Sequence, residues 1–588
     1  MNLVKIFSLI LVLSVAFQSC ELLEPVDENR YTLDRAYNDP AYAEGILIKA
    51  YTNLPTNSLS FNDVATDNAV SNDNFNSYRR AATGEWSSKY NPFNEWDRCN
   101  EAILYLNYFL DNVVDSVEWK WTEPQLTMLY RKRFKGEAYA LRALFKYHLL
   151  ITMGGIGQNN ELLGFPIYEK SIESDFDEFN KPRAGFIESI NSIYSDISKS
   201  LEQFTMDKFV NINSADELPE GYKDVTEISF YNDVFGNNAN QRINGQFAKA
   251  LKARVALLAA SPAFSDGDQS LWENAANYAA DVLNDIGGID GMDPVGHIFY
   301  LGQYVDLLNV VSGIDQQEII LRTPRTTSNS RERNNFPPSL FGNGRVNPSQ
   351  NLVDAFPMDN GYPINHPSSG YDDKEPYKNR DPRLSNYIVY NGSAMSNKII
   401  ITGEGGGIDS KDSISTSTRS GYYLRKLLRE DVNADPTSQT SRNHYETHMR
   451  FTELFLIYAE AANEAWGPDG TGGHGYSARD VISAIRERAG IDSSDSYLAS
   501  ISNQEDMREL IRNERRLELC FEGFRFWDLR RWKLDLTETA RGINIDLAGN
   551  YELLDIEERR YNNEFMHYGP LPESEIVKFS ELIQNTGW

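Results

Sequence analysis

Cysteine is scarce in this chain: three in 588 residues, at positions 20, 99 and 520. That number excludes a disulfide-stapled scaffold, and Cys99 and Cys520 sit inside apolar helical patterns that predict buried free thiols. Histidine is nearly as scarce, with seven. His444 and His448 stand four apart, a zinc-ligand spacing if the segment is helical. The intervening Glu446 is misplaced for H-E-x-x-H, whose general base sits beside the first histidine. Surface or packing histidines are the simpler reading, and no metal or cofactor is expected. Long apolar runs are missing as well. Beyond residue 20 no stretch reaches the roughly 18 consecutive apolar residues that mark a membrane-crossing helix. Basic charge is short, with 57 Lys and Arg against 85 Asp and Glu for a net charge of -28. Nucleic-acid binding rests on cations displacing counterions, so nucleic acid is not an expected partner. No G-x-S-x-G, Walker A or G-x-G-x-x-G lies between a strand and a helix, and residues 404–408 (EGGGI) lack a phosphate-loop lysine. Glycosidases stay open, because their two carboxylates are fixed by separation in space and not by sequence spacing.

What is present begins at the N-terminus. Lys5 precedes an apolar run from Ile6 to Phe17, and Ser19 directly precedes Cys20. The run is too short to span a bilayer and reads as a removable signal over residues 1–19. A cysteine directly after the cut resembles a bacterial lipoprotein signal, with Phe17 where a small or aliphatic residue is usual. Two or more acyl chains on Cys20 would hold the protein stably, since each buried methylene contributes about 0.8 kcal/mol and one chain alone binds marginally. Residues 20–38 are acidic and without period, and read as a tether.

Helices dominate the next stretch, 39–286. Asp39-Pro40 predicts a helix over 41–54 and Asn91-Pro92 another through Leu110, with proline in the first turn of each. A longer helix is predicted from Thr122 to Gly154-Gly155. Ile187, Ile190, Tyr194, Ile197, Leu201 and Phe204 alternate three and four apart, a buried seam. Ala248, Leu251, Val255 and Leu258 repeat that spacing, and Trp272, Ala275, Ala276 and Ala279 suit the close approach of paired helices in tetratricopeptide arrays. In 287–588, a stretch rich in Gly, Pro, Asn and Ser to about 447 predicts loops, with short strands at 318–322 and 387–389. Helices return near 452–466, 477–489 and 504–521. Loops this long are usually functional, so part of a binding face is expected there.

Two charged runs, Arg131-Lys132-Arg133 and Arg512 to Glu518, read as structural ion pairs with cation–aromatic contacts to Phe521, Phe524, Phe526 and Trp527. The segment from Phe61 to Phe93 differs in kind. It combines Phe61, Phe75, Tyr78, Trp86, Tyr90 and Phe93 with Asn62, Asp67, Asn68, Asp73, Asn74, Arg79, Arg80 and Asn91, outside any period. Flat apolar rings beside planar hydrogen-bonding groups suit a sugar, and they equally suit packing beneath a long loop.

Residues 511–533 (IRNERRLELCFEGFRFWDLRRWK) closely resemble the signature of the SusD/RagB family of outer-membrane nutrient-binding lipoproteins. Glu95-Trp96 through Asn100-Glu101, 138–155, 380–384, 450–464 and 572–588 look like further blocks of that family. The resemblance implies a mainly α fold of tetratricopeptide-like helix pairs with a loop-rich half carrying short strands. It also implies a non-catalytic, cell-surface protein, lipid-anchored in the outer membrane. Such a protein would capture glycans, or in some members peptides, for a SusC-like TonB-dependent transporter. Family ligand contacts come from loops without an alignable motif, so the expected contacts here are positional: Arg79, Trp86, Tyr90 and Asn91 from the first loop, and Tyr300, Phe336 and Phe341 from the second.

Overall fold

The computed structural model describes residues 39–56, 61–119, 123–172, 176–204, 206–309 and 312–588. The signal, the anchor at Cys20 and the tether lie outside the described residues. Pro40 opens α1 (Pro40–Thr52), where the Asp39 carboxylate accepts from the backbone N–H of Ala41 at 3.0 Å and of Tyr42 at 3.2 Å. Helix α2 (Trp96–Tyr108) starts later than Asn91-Pro92 predicts. Asn91 accepts from the Phe93 N–H at 3.0 Å and Asn94 from the Trp96 N–H at 2.9 Å. Such local turns compete with helical hydrogen bonds and delay the helix by one turn. Pro124 opens α3 (Pro124–Met153), which ends at Gly154.

The seam predicted on α4 (Phe186–Gln203) is rotated. Ile187 is 59% exposed, and the buried face is Phe186, Ile190, Ile193 and Ile197. The Phe186 ring stacks on Phe264 with centroids 4.8 Å apart, which turns the helix by about one position. The array continues through α5 (Gly245–Ala260) and α6 (Gln269–Asn284), then through α7 (Phe451–Trp466), α8 (Ala478–Ala489) and α9 (Gln504–Glu518). Each helix from α1 to α7 packs on the next, and α7 also packs on α8 and α9. The loop-rich stretch is therefore inserted between α6 and α7 of one helical array. Ala275, Ala276, Ala279 and Ala280 of α6 are buried against this array, where small side chains permit close approach. Ser477 and Asp480 form a reciprocal capping box on α8, and Gly490 ends it in the left-handed region at φ 96°. The main apolar core draws on residues from both sides of the insertion.

Helix α9 ends at Glu518, short of the predicted 521. Phe521 lies beyond it at φ 62°, with its N–H donated to Asp63 Oδ1 at 3.1 Å. The charged run on α9 is structural, as its spacing suggests. Glu514 accepts from Arg383 at 2.9 Å and Arg486 at 2.7 Å, and Glu518 from Arg383 at 3.1 Å and Arg488 at 2.8 Å. Arg450 joins Glu318 and Glu522, each at 2.7 Å. Burial alone would raise the Glu518 carboxyl, but Arg488, Arg450 and Arg383 outweigh it and hold the group well below the usual range. On α3, Arg133 pairs with Glu137 at 2.9 Å. Cys99 and Cys520 are buried free thiols.

Strands are short, among them β1 (Ala69–Ser71) in the first loop and, in the loop-rich half, β2 (Ile319–Arg322), β3 (Val346–Pro348), β4 (Ile388–Val389), β5 (Arg442–His444), β6 (Thr447–Arg450), β7 (Ala540–Ile545) and β8 (Tyr551–Glu557). His444 and His448 fall on β5 and β6, so the helical spacing that would have aimed both at one ion does not exist. Among the described residues no three His, Cys, Asp or Glu side chains gather as a metal site. With so few ladder bonds, buried loop carbonyls need other donors. Arg380 supplies them, donating to the carbonyls of Val353 and Phe356 at 2.6 Å and of Pro376 at 2.7 Å.

Candidate functional site

Strands β1 and β3 pair antiparallel with Ser71 opposite Val346. The chain leaving β1 at Asn72 and the chain entering β3 from Arg345 therefore emerge at the same end. Asn72 ties the two loops together: its Nδ2 donates to the Asn343 carbonyl at 2.9 Å and to the Ser417 carbonyl at 3.2 Å. The Asp73 carboxylate accepts from the Phe75 N–H at 2.9 Å, a local turn that lifts Phe75 to the tip, where it is 87% exposed. Asn76 then caps the next turn by accepting from the Arg79 N–H at 3.0 Å.

The second loop presents Phe341, which is 53% exposed and held at φ 62°. Left-handed backbone at a bulky residue costs about 1–3 kcal/mol and clusters at functional positions. Gly344 is required below it. At φ 53°, a Cβ there would lie 2.4 Å from the Thr416 carbonyl oxygen. The rim thus carries two open rings among the planar groups of Asn72, Asn74, Asn343 and Arg345. Rings of this kind suit the C–H face of a sugar, and planar amides and guanidiniums suit hydroxyls.

The first loop is moored by charge. Glu557 on β8 accepts from Arg79 at 2.8 Å, Arg419 at 2.5 Å and Arg559 at 2.6 Å. Burial would raise this carboxyl, and the three guanidiniums, Arg559 foremost, hold it below its ordinary value instead. Arg79 also reaches Asn74, so it bridges the rim and its mooring.

The seven expected contacts divide. Phe341 and Arg79 belong to the rim. Trp86 is turned inward, 4% exposed, among Phe93, Phe526, Tyr561 and Trp588 with ring centroids 4.8–5.9 Å away. Its Nε1 donates to Asn91 at 2.9 Å, so Asn91 serves this packing. Tyr90 lies beneath the Arg80 guanidinium at 4.4 Å. Tyr300 and Phe336 are buried in the second apolar core. Packing was the competing reading of the aromatic segment, and it accounts for Trp86, Phe61 and Phe93. Phe75 was not among the expected contacts. Its signal was its flanks, since Asn72-Asp73-Asn74 and Asn76 give a lone ring no apolar neighbours in sequence.

Residues 317–588 match the SusD family, and residues 38–209 match a SusD-like family described as "Starch-binding associating with outer membrane". A SusD-like protein of Formosa agariphila is 23% identical over 554 residues, covering 90% of this chain and 91% of its own length. Another from that bacterium is 31% identical over 166 residues, and there the chain spans 29% of the relative's length. A SusD-like protein of Bacteroides fragilis superposes with a TM-score of 0.70 at 23% identity, covering 96% of this chain and 100% of that one. A SusD-like carbohydrate binding protein of the same species gives 0.68 at 19% identity, covering 93% and 99%. At these identities the structural likeness establishes the fold.

Proposed function

The chain belongs to the SusD/RagB family, and from that premise we propose that it is a non-catalytic, surface-exposed glycan-capture lipoprotein of the outer membrane, anchored through Cys20, that passes its ligand to a SusC-like TonB-dependent transporter. The observation that carries the reading is the rim: Phe75 and Phe341 raised on two loops that β1 and β3 bring to one end, with amides and a guanidinium between them. The match to a family described as starch-binding and outer-membrane-associated supports the same direction. So does the printed description of the carbohydrate-binding structural neighbour.

Electrophoresis of the purified chain through gels containing individual polysaccharides tests the capture. Retardation by at least one glycan, without release of reducing ends, is the expected outcome. Release of reducing sugar would move the protein to the glycosidases, and retention of peptides alone would make it a peptide-uptake protein. For the anchor, Cys20→Ala is expected to leave the membrane fraction; unchanged retention there overturns that part.

A further inference from the structure

A cleft of about 180 Å³ lies between α3, α5, β6, the helix α10 (Arg525–Arg531) and the first-loop residues Tyr78 and Phe93, and no rim residue lines it. It is lined by residues of the sequence's most specific motif, Glu522, Phe524, Trp527 and Asp528 among them, which the rim does not use. The charges along it are matched to one another. Arg254 pairs with Glu453 at 2.5 Å, Arg515 with Asp528 at 2.9 Å, and Glu522 with Arg450 and Lys426 at 2.7 Å each. Glu95 also lines the cleft, 3.3 Å from Arg98, with its carboxyl raised by burial.

Two imidazoles remain. His148 of α3 and His448 of β6 both line the cleft. Burial first and the neighbouring Arg254 second push them down to about 3 and about 4, so both stay neutral. A neutral imidazole presents one N–H and one acceptor lone pair. Phe524 and Trp527 are part-buried and supply apolar ring surface. Donors and acceptors beside ring faces, with Arg254, Arg515 and Glu522 each held in an ion pair, suit a neutral polyol. The volume falls below the roughly 300 Å³ from which sites for drug-sized ligands begin, which limits the occupant to a single ring.

We propose that this cleft is a second binding site, for one neutral sugar unit of hexose size, with His148 and His448 pairing its hydroxyls and Trp527 and Phe524 covering its C–H face. The site shares no lining residue with the rim and does not require the rim to bind glycan. Saturation-transfer NMR on the full mature chain with glucose, galactose and mannose tests it. A saturable signal from at least one hexose is expected, weakened at least tenfold in His148→Gln/His448→Gln and unchanged in Phe341→Ala. Each single histidine variant should weaken it too, which keeps the test decisive if the double variant fails to fold. No saturable signal from any of the three sugars overturns the proposal, as does a signal indifferent to the histidines. A signal lost in Phe341→Ala instead places the sugar at the rim and also overturns it. Failure of polysaccharide capture with hexose binding intact would sink the rim reading alone.

Discussion

The helical array and the loop-rich insertion are held together by different forces, and the difference separates what identifies this chain from what equips it. The array is closed chiefly by apolar packing, with a few buried pairs such as Arg142–Asp196 and Arg254–Glu453 between helices: α5 and α6 bury alanine faces, and their backbones satisfy themselves. The insertion has strands of two to four residues, so side chains must do what ladders do elsewhere. Arg380 serves three loop carbonyls, and Arg383 and Arg450 bind the insertion to α9 and the turn that follows it through Glu514, Glu518 and Glu522. Arginine suits this work because its planar fork serves several acceptors at once. The signature motif is thus the insertion's mooring. The rim, where capture is proposed, carries no motif.

The largest effect should follow from cutting that mooring. Arg383 is fully buried and bonded to Asp381, Glu514 and Glu518. Removing one partner of a buried ion pair leaves uncompensated charge, at a cost of about 3–5 kcal/mol. Arg383→Met should lower the urea unfolding midpoint accordingly. A midpoint within experimental error of the parent would mean that the insertion is held by its apolar core alone.

A smaller effect, of opposite sign in two readouts, is expected at the rim. Phe341→Gly removes an exposed ring and relieves left-handed strain, so stability should rise by up to about 1 kcal/mol. Retardation by a bound glycan should meanwhile weaken about tenfold, the effect of losing an interaction of about 1.4 kcal/mol. Phe75→Ala should weaken binding similarly, with stability within about 0.5 kcal/mol of the parent, as befits a largely exposed side chain. If both variants bind as the parent does, the rim is ordinary surface.

This contrast also explains what could be read from the sequence. Helix positions follow from periodicity and capping residues, and α8 with its Ser477–Asp480 box and Gly490 stop is the clearest case. The misses arose where local or tertiary contacts overrode pattern. Asn91 and Asn94 delayed α2, and Phe264 drew Phe186 inward in place of Ile187. At the site, Trp86 looked like a stacking platform because sequence shows ring and amide neighbours without showing which side they enclose. Only the fold brings Phe93, Phe526, Tyr561 and Trp588 from distant positions around it. Phe75 and Phe341 are 266 positions apart, and their shared placement depends on the β1–β3 register, which no spacing encodes.

The smallest effect distinguishes the array from its mooring by pH. His148 and His448 are pushed down from 6.5 to about 3 and about 4, and His297 of the insertion also to about 4, each mainly by burial. A histidine whose folded value is depressed binds its proton more readily when unfolded. Stability is therefore flat above about pH 7, begins to fall as pH drops through 6.5, and keeps falling toward the folded values. The mooring carboxylates act lower. Glu518 and Glu522 are held below 4.5 in the fold, against the pull of burial, by their arginine and lysine partners. Their contribution is complete above the unfolded carboxylate value and is lost only as pH falls below it. Between about pH 7 and pH 5.5 the histidines thus titrate ahead of these mooring carboxylates. The urea midpoint of the parent should decline across that window, and His148→Gln/His448→Gln should make the decline shallower, with His297 and the milder His567 supplying the remainder. An identical slope in parent and variant would mean that both imidazoles are as accessible to protons in the fold as out of it, and the cleft between α3 and β6 would then be open to bulk water.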